Sequence, residues 1–385
     1  MQSTFEETPL RQGSGSLKWD IYSKQDVLPF WVADMDFKSP PEVIEALQVR
    51  ASHGVFGYTL PTTDEKTAVL EYLRRRHGYM GDGNALVWLP GMVPALTMAS
   101  AVAKSRGASA AMTCTPVYPP FLNGPKDVGL EVCSVPLMKD PTSDGRMTFD
   151  FVAMEKSVDA KTGLFILCNP HNPVGRAYSK EELSQLVAFC DVHELLLCSD
   201  EIHCDLILDE AKTPHHSLLG FDGEIQERAI VLMAASKTYN IAGIGCAFAI
   251  IPNMRLRHAF RKVKGGWIPP VNAFGYTATA AALRHGDAWR QSLLAHLRVN
   301  EQILRCYLKE HHPEIVMSPT EGTYLAWLDV RALELENAHA FFQKRGVGLS
   351  DGLDFGAPGF LRWNFGCSRS LLEKGLRRFT RALNE

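Results

Sequence analysis

The apolar residues of this chain gather in short unbroken runs rather than alternating with polar ones. Residues 110–114, 164–168, 195–198, 230–234 and 246–251 each read as a strand buried on both faces, and 85–89 is strand-like too. Helical patterns lie between them. Ser179 with Glu182 forms a capping-box signature ahead of Leu183, Leu186, Val187 and Phe189, which marks a helix start. Strand and helix alternating from about residue 62 to 283 predict a parallel α/β sheet. After Leu283 the texture changes: a long helix over 288–310, a strand over 323–330, a helix over 338–344, a strand over 360–365 and a basic C-terminal helix. The expectation is a large domain over 51–285 and a smaller α+β domain over 286–385. Residues 1–50, with the aromatic stretch 28–37 and a short helix opened by Pro40 and Pro41, read as an arm packing on the small domain.

Composition narrows the class. The 385 residues are 46% hydrophobic and 22% charged, as in an ordinary globular protein with a large core. Forty Lys+Arg against 43 Asp+Glu leave a net charge of -3, which argues against a nucleic-acid partner. No run of 18 apolar residues suggests a membrane span. Nine cysteines lack CxxC spacing and no basic-then-apolar leader opens the chain, so buried structural thiols in a reduced cytoplasm are expected. His215-His216, His311-His312 and His203-Cys204 raise a metal site, but adjacent side chains diverge and no HExxH accompanies them; surface or capping histidines are the better reading. Arg377, Arg378 and Arg381 read as the solvated face of the last helix.

Four segments carry candidate chemistry. Gly91-Met92-Val93-Pro94 runs from a strand into a helix, so its free N–H groups and the helix dipole suit a phosphate; a plain strand-to-helix turn would look the same. Asn169-Pro-His-Asn172-Pro-Val-Gly175 follows a buried run, at the sheet edge where α/β proteins bind ligands, or serves only as a turn. Asp200 ends another run, where a carboxylate is costly unless it meets a cation. Beside it Glu201 and His203 fit a direct part in the chemistry and a merely supporting or surface role equally well. Lys237 ends a third run, at an apolar mouth that favours loss of its proton or a covalent cap; a lysine there can also reach out to solvent.

Together, Asn169-Pro-His-Asn-Pro-Val-Gly175, Ser199-Asp-Glu-Ile-His203 and Ser236-Lys-Thr-Tyr-Asn-Ile-Ala-Gly243 resemble the fold-type I pyridoxal-phosphate enzymes of the class I/II aminotransferase superfamily. Trp31-Val-Ala-Asp-Met-Asp-Phe37, Gly54-Val-Phe-Gly-Tyr58 and Pro116-Val-Tyr-Pro-Pro120 look like its cystathionine β-lyase or cysteine-S-conjugate β-lyase branch, of MalY/PatB type. The similarity runs from about Leu28 to Phe365. It implies the aspartate aminotransferase-like fold, with a mostly parallel sheet sandwiched by helices in the large domain, and pyridoxal 5'-phosphate as cofactor. Lys237 would bind the cofactor covalently and act as acid and base, Asp200 would pair with the pyridine nitrogen, and Asn172 would donate to the phenolic oxygen. Tyr118 would stack on the ring, while Gly91, Met92 and Val93 by backbone N–H, and Ser236 by its hydroxyl, would hold the phosphate. The resemblance further places Tyr58 in a neighbouring subunit's site, which implies a homodimer, and Arg362 on the substrate carboxylate. His203 is a candidate cofactor contact. The wider superfamily has a serine where this chain has Ala234 and an arginine where it has Gly245, both on the phosphate. The implied reaction is α,β-elimination from cystathionine or another L-cysteine S-conjugate, with Lys237 or Tyr118 protonating the sulfur. An aminotransferase, or a cofactor-bearing protein with a regulatory partner, shares the fold.

Overall fold

A computed structural model of the chain describes residues 5–140 and 145–385. The apolar runs become seven strands of one sheet: β1 (Leu86–Leu89), β2 (Ala110–Thr115), β3 (Glu131–Pro136), β4 (Thr162–Cys168), β5 (Leu196–Asp200), β6 (Ala229–Met233) and β7 (Ala247–Ile250). Their order is β1-β7-β6-β5-β4-β2-β3. All neighbours are parallel except β7, which runs against both β1 and β6. The sheet is therefore mostly parallel, as expected, with β7 as its one antiparallel strand. Returning to the same sheet in parallel needs a crossover segment, usually a helix, and the loop between β6 and β7 holds only the single turn Ala242–Ile244. The edge strand β3 has no apolar run to betray it, because at the sheet's rim its side chains are a mix of exposed, half-buried and buried.

Helices cover both faces of the sheet and two cores form, one on each side. The helix behind the Ser179 capping box spans Lys180–Val192, with both reciprocal hydrogen bonds made. A third core surrounds a four-stranded antiparallel sheet ordered β8-β9-β11-β10, from β8 (Val316–Met317), β9 (Leu325–Asp329), β10 (Ser350–Asp351) and β11 (Phe360–Asn364). The helices Asp287–His311 and Arg369–Asn384 close it. Phe30, Met35 and Phe37 are buried in that third core, and Leu28–Pro29 pairs in parallel with Val347–Gly348. Beyond them, helix Pro41–Ser52 packs instead on helix Ala273–His285, so residues 28–52 tie the two sheets together.

Smaller expectations need correcting. Arg378 is drawn out of solvent by Asp26, to which it donates at 2.8 and 2.9 Å. Cys306 is exposed, so not all the thiols are buried. His215 and His312 are not surface groups: they bond to Glu201 and Thr380. No helix among the described residues is long and apolar enough to cross a membrane.

Candidate active site

Because β4, β5 and β6 are parallel and in register, with Cys168 beside Asp200 and Asp200 beside Leu232, the loops after them emerge at one edge of the sheet. A cavity of about 800 Å³ lies there. Gly91, Met92, Val93, Tyr118, Asn172, Asp200, His203, Ser236, Lys237 and Arg362 all line it. Tyr58 does not: it stands fully exposed on the irregular segment after Gly54. Glu201 is also absent from the lining.

The two carboxylates at the end of β5 have opposite surroundings. Glu201 accepts from Ser199 Oγ at 3.0 Å, from the Leu218 N–H at 3.0 Å and from His215 Nε2 at 3.1 Å. Burial alone would raise its pKa, but His215 and the other donors leave it lowered. Asp200 is 3% exposed and receives one hydrogen bond, from the Ile202 N–H at 3.0 Å. Burial, reinforced by the Glu201 charge, pushes its pKa up to about 7, against the pull of Ile202 and Lys237. No cation pairs with it among the described residues. A buried acid facing a cavity in this state fits a cationic ligand atom.

Lys237 shows the converse. Its Nζ donates to the Ala33 carbonyl at 2.7 Å. Burial first, then the Arg362 charge, bring its pKa down to about 8, so a neutral amine is accessible near neutral pH. Arg362 is held rigid: Nη1 donates to Asn172 Oδ1 at 2.9 Å, and Nη2 to the Trp31 carbonyl at 2.8 Å and to Ser350 Oγ at 3.1 Å. Its guanidinium lies 4.7 Å from the centre of the Phe355 ring. Burial lowers its pKa to about 10, its Nε has no partner, and no carboxylate neutralises it among the described residues. The site is therefore preset for an anion.

A second anion site fits the Gly91 turn. Helix Met92–Ser105 starts there with no side-chain cap, and Gly91, Met92 and Val93 at its start line the cavity, which suits an anion. Gly245 crosses the same region at φ 68, and a Cβ on it would lie 3.2 Å from the Pro90 carbonyl. No side chain is accommodated there without strain. His203 is buried, with Nδ1 unpartnered, and burial holds it neutral with its pKa down at about 3. His171, by contrast, is a structural group, bonded through Nε2 to the Pro116 carbonyl at 2.9 Å and through Nδ1 to Tyr178 Oη at 2.8 Å. Tyr118 is anchored by its N–H to the Asn172 carbonyl at 3.1 Å, and burial raises its phenol, which keeps it protonated.

Several contributors have no signature in the sequence. The Ala33 and Trp31 carbonyls act through the backbone, and Tyr324 reaches Ala33 across the fold, its Oη donating to that carbonyl at 2.9 Å. Asn240, at φ 55, fastens the arm to the loop after Lys237: it accepts from the Met35 N–H and donates to the Met35 and Phe37 carbonyls at 3.0, 2.9 and 2.8 Å. Its place in the Lys237-Thr-Tyr-Asn stretch is the one hint the sequence offers.

Comparison with known proteins gives this geometry relatives. Residues 25–379 match the family described as aminotransferase class I and II. The chain is 36% identical to cystathionine beta-lyase PatB of Bacillus subtilis (strain 168), with 99% of this chain and 100% of that one covered. Among solved structures, OvoB superposes with a TM-score of 0.94 at 38% identity, over 99% of both chains. Cystalysin from Treponema denticola, whose structure contains a pyridoxal 5'-phosphate cofactor, superposes with a TM-score of 0.92 at 32% identity, over 99% of this chain and 98% of that one.

Proposed function

The chain belongs to the class I and II aminotransferase family, and from that premise we propose the roles of its residues in a pyridoxal-phosphate-dependent C–S β-lyase. It cleaves cystathionine or a related L-cysteine S-conjugate to a thiol, pyruvate and ammonia. One observation carries the assignment of residues: the cavity presents a carboxylate, a guanidinium and a lysine, all desolvated and none paired with an opposite side-chain charge among the described residues. Such a set is complementary to a cationic ring nitrogen, a carboxylate and a carbonyl carbon.

Asp200 would pair with the pyridine nitrogen of the cofactor, the turn at Gly91, Met92 and Val93 with the Ser236 hydroxyl would hold its phosphate, Asn172 would donate to its phenolic oxygen, and Tyr118 and His203 would contact its ring. Lys237 would bind it covalently. Pyridoxal phosphate supplies the electron sink that acidifies the Cα–H bond of a bound amino acid. Arg362 receives the substrate carboxylate and, being fixed by Asn172, Ser350 and Trp31, fixes the orientation of Cα. Lys237, as a neutral amine, takes the Cα proton at Nζ, which its depressed pKa allows. The Cβ–S bond breaks with its electron pair going to sulfur. A proton from Lys237 Nζ or the Tyr118 phenol makes the thiol, and water converts the three-carbon remainder to pyruvate and ammonia.

Two supports favour a homodimer with shared sites. Tyr58 is stranded from the cavity of its own chain, and Val55, Phe56 and Leu60 beside it are exposed apolar groups suited to a partner surface. Nine cysteines without a disulfide suit a reducing cytoplasm. The test is incubation of the holoenzyme with L-cystathionine. Pyruvate and free thiol appearing in equal amounts support the lyase; glutamate formed from 2-oxoglutarate without thiol release overturns it in favour of an aminotransferase.

A further inference from the structure

The cavity carries more charge than the amino-acid core of a substrate and the cofactor use. Asp200, Lys237 and Arg362 are accounted for above; Asp351 and Asp354, the other two carboxylates lining it, are not. They flank the groups that grip Arg362, since Ser350 precedes Asp351 and Phe355 follows Asp354. Among the described residues the only hydrogen bond to either is from the Leu353 N–H to Asp351 Oδ1 at 3.0 Å, and neither is ion-paired. Asp351 is half-buried and Asp354 exposed, which places them on the open side of the cavity.

Among the described residues the one group on this rim able to carry positive charge is His339, and no lysine or arginine joins it there. Tyr22 and Gln25 from the arm and His339 and Gln343 from helix Ala338–Lys344 complete this rim, and Lys237 and Arg362 are the only described lysine and arginine lining the cavity. A smaller cavity of about 270 Å³ adjoins, sharing His339 and Asp351, and its one arginine, Arg331, is taken by Asp329 at 2.6 Å. With the substrate carboxylate on Arg362 and Cα at Lys237, the substituent on sulfur has the rim as its outlet. The fixed charge it meets there is negative.

We propose that Asp351 and Asp354 select the leaving group, favouring L-cysteine S-conjugates whose S-substituent bears a cation over neutral or anionic ones. This rests on the lyase reading and names its substrate class. For a part-exposed ion pair the discrimination is modest, about fivefold. The holoenzyme is compared on S-(2-aminoethyl)-, S-propyl- and S-(2-carboxyethyl)-L-cysteine by pyruvate release. The expected order of kcat/KM is aminoethyl, propyl, carboxyethyl, with the aminoethyl-to-propyl ratio falling to near one in Asp351→Asn/Asp354→Asn. Equal rates, or a ratio the double variant does not change, overturn the proposal. Calorimetric binding of L-lysine and L-norleucine, which have no sulfur to expel, decides it without turnover: tighter lysine binding lost in the double variant supports it, and equal binding contradicts it. Failure of all three conjugates to yield pyruvate sinks the lyase reading instead, and leaves the binding comparison to judge the two aspartates.

Discussion

Asp200 and Glu201 are neighbours in the chain, both buried, and the protein treats them in opposite ways. Glu201 is provided with two side-chain donors and a backbone N–H, and ends with a lowered pKa. Asp200 has one N–H and a pKa of about 7. The same contrast separates Arg176, paired with Glu182 and Glu321, from Arg362, which has neutral partners only. A buried charge that the protein satisfies is part of its framework. A buried charge left unpaired at a cavity is there for something that binds.

The sharpest way to break this comparison is to remove the group that does covalent work. Lys237→Ala is expected to lose all measurable turnover and the near-visible absorbance of the bound cofactor, followed by spectrophotometry; a normal spectrum would put the cofactor on another lysine. Arg362→Ala should raise KM for amino acids on the order of 10²-fold, as charge-assisted hydrogen bonds are lost, with the cofactor retained. Loss of cofactor instead would refute the carboxylate role.

The Asp200 and Glu201 pair can be tested without catalysis. In the cofactor-free protein the folded-state pKa of Asp200, about 7, lies above its ordinary value of 3.8, so the folded state holds the extra proton between them. This group therefore costs stability as pH rises from about 4 to about 7, and the cost persists above that. Asp200→Asn should raise the Tm of the cofactor-free protein at pH 8 and flatten that slope. Glu201→Gln should lower Tm at pH 8, by roughly 1–3 kcal/mol of stability, because its donors lose a charged acceptor. Equal effects of the two substitutions would dissolve the distinction. The smallest effect is expected at Tyr58: Tyr58→Phe should weaken cofactor affinity roughly tenfold, the worth of one hydrogen bond to a charged group, measured by equilibrium titration.

What the sequence discloses follows the same division. Buried strands write themselves as apolar runs, so the run that precedes each of Asn172, Asp200 and Lys237 is enough to place all three at strand ends on one sheet edge. Strand β3, whose rim position leaves its side chains mixed, has no such trace, and nothing in the pattern distinguishes antiparallel β7 from its parallel neighbours. Partners distant in sequence are equally hidden. Lys237 and Ala33 lie 204 positions apart, and Arg362 and Trp31 331, and in both pairs the acceptor is a backbone carbonyl that any residue supplies. Glu201 is ambiguous in the sequence because its partner His215 sits in a loop with no fixed spacing.

The most direct test of the central claim is borohydride reduction of the holoenzyme followed by peptide mass spectrometry. A single pyridoxyl adduct on the peptide carrying Lys237 is the predicted result, and an adduct on another lysine, or none, would contradict the account.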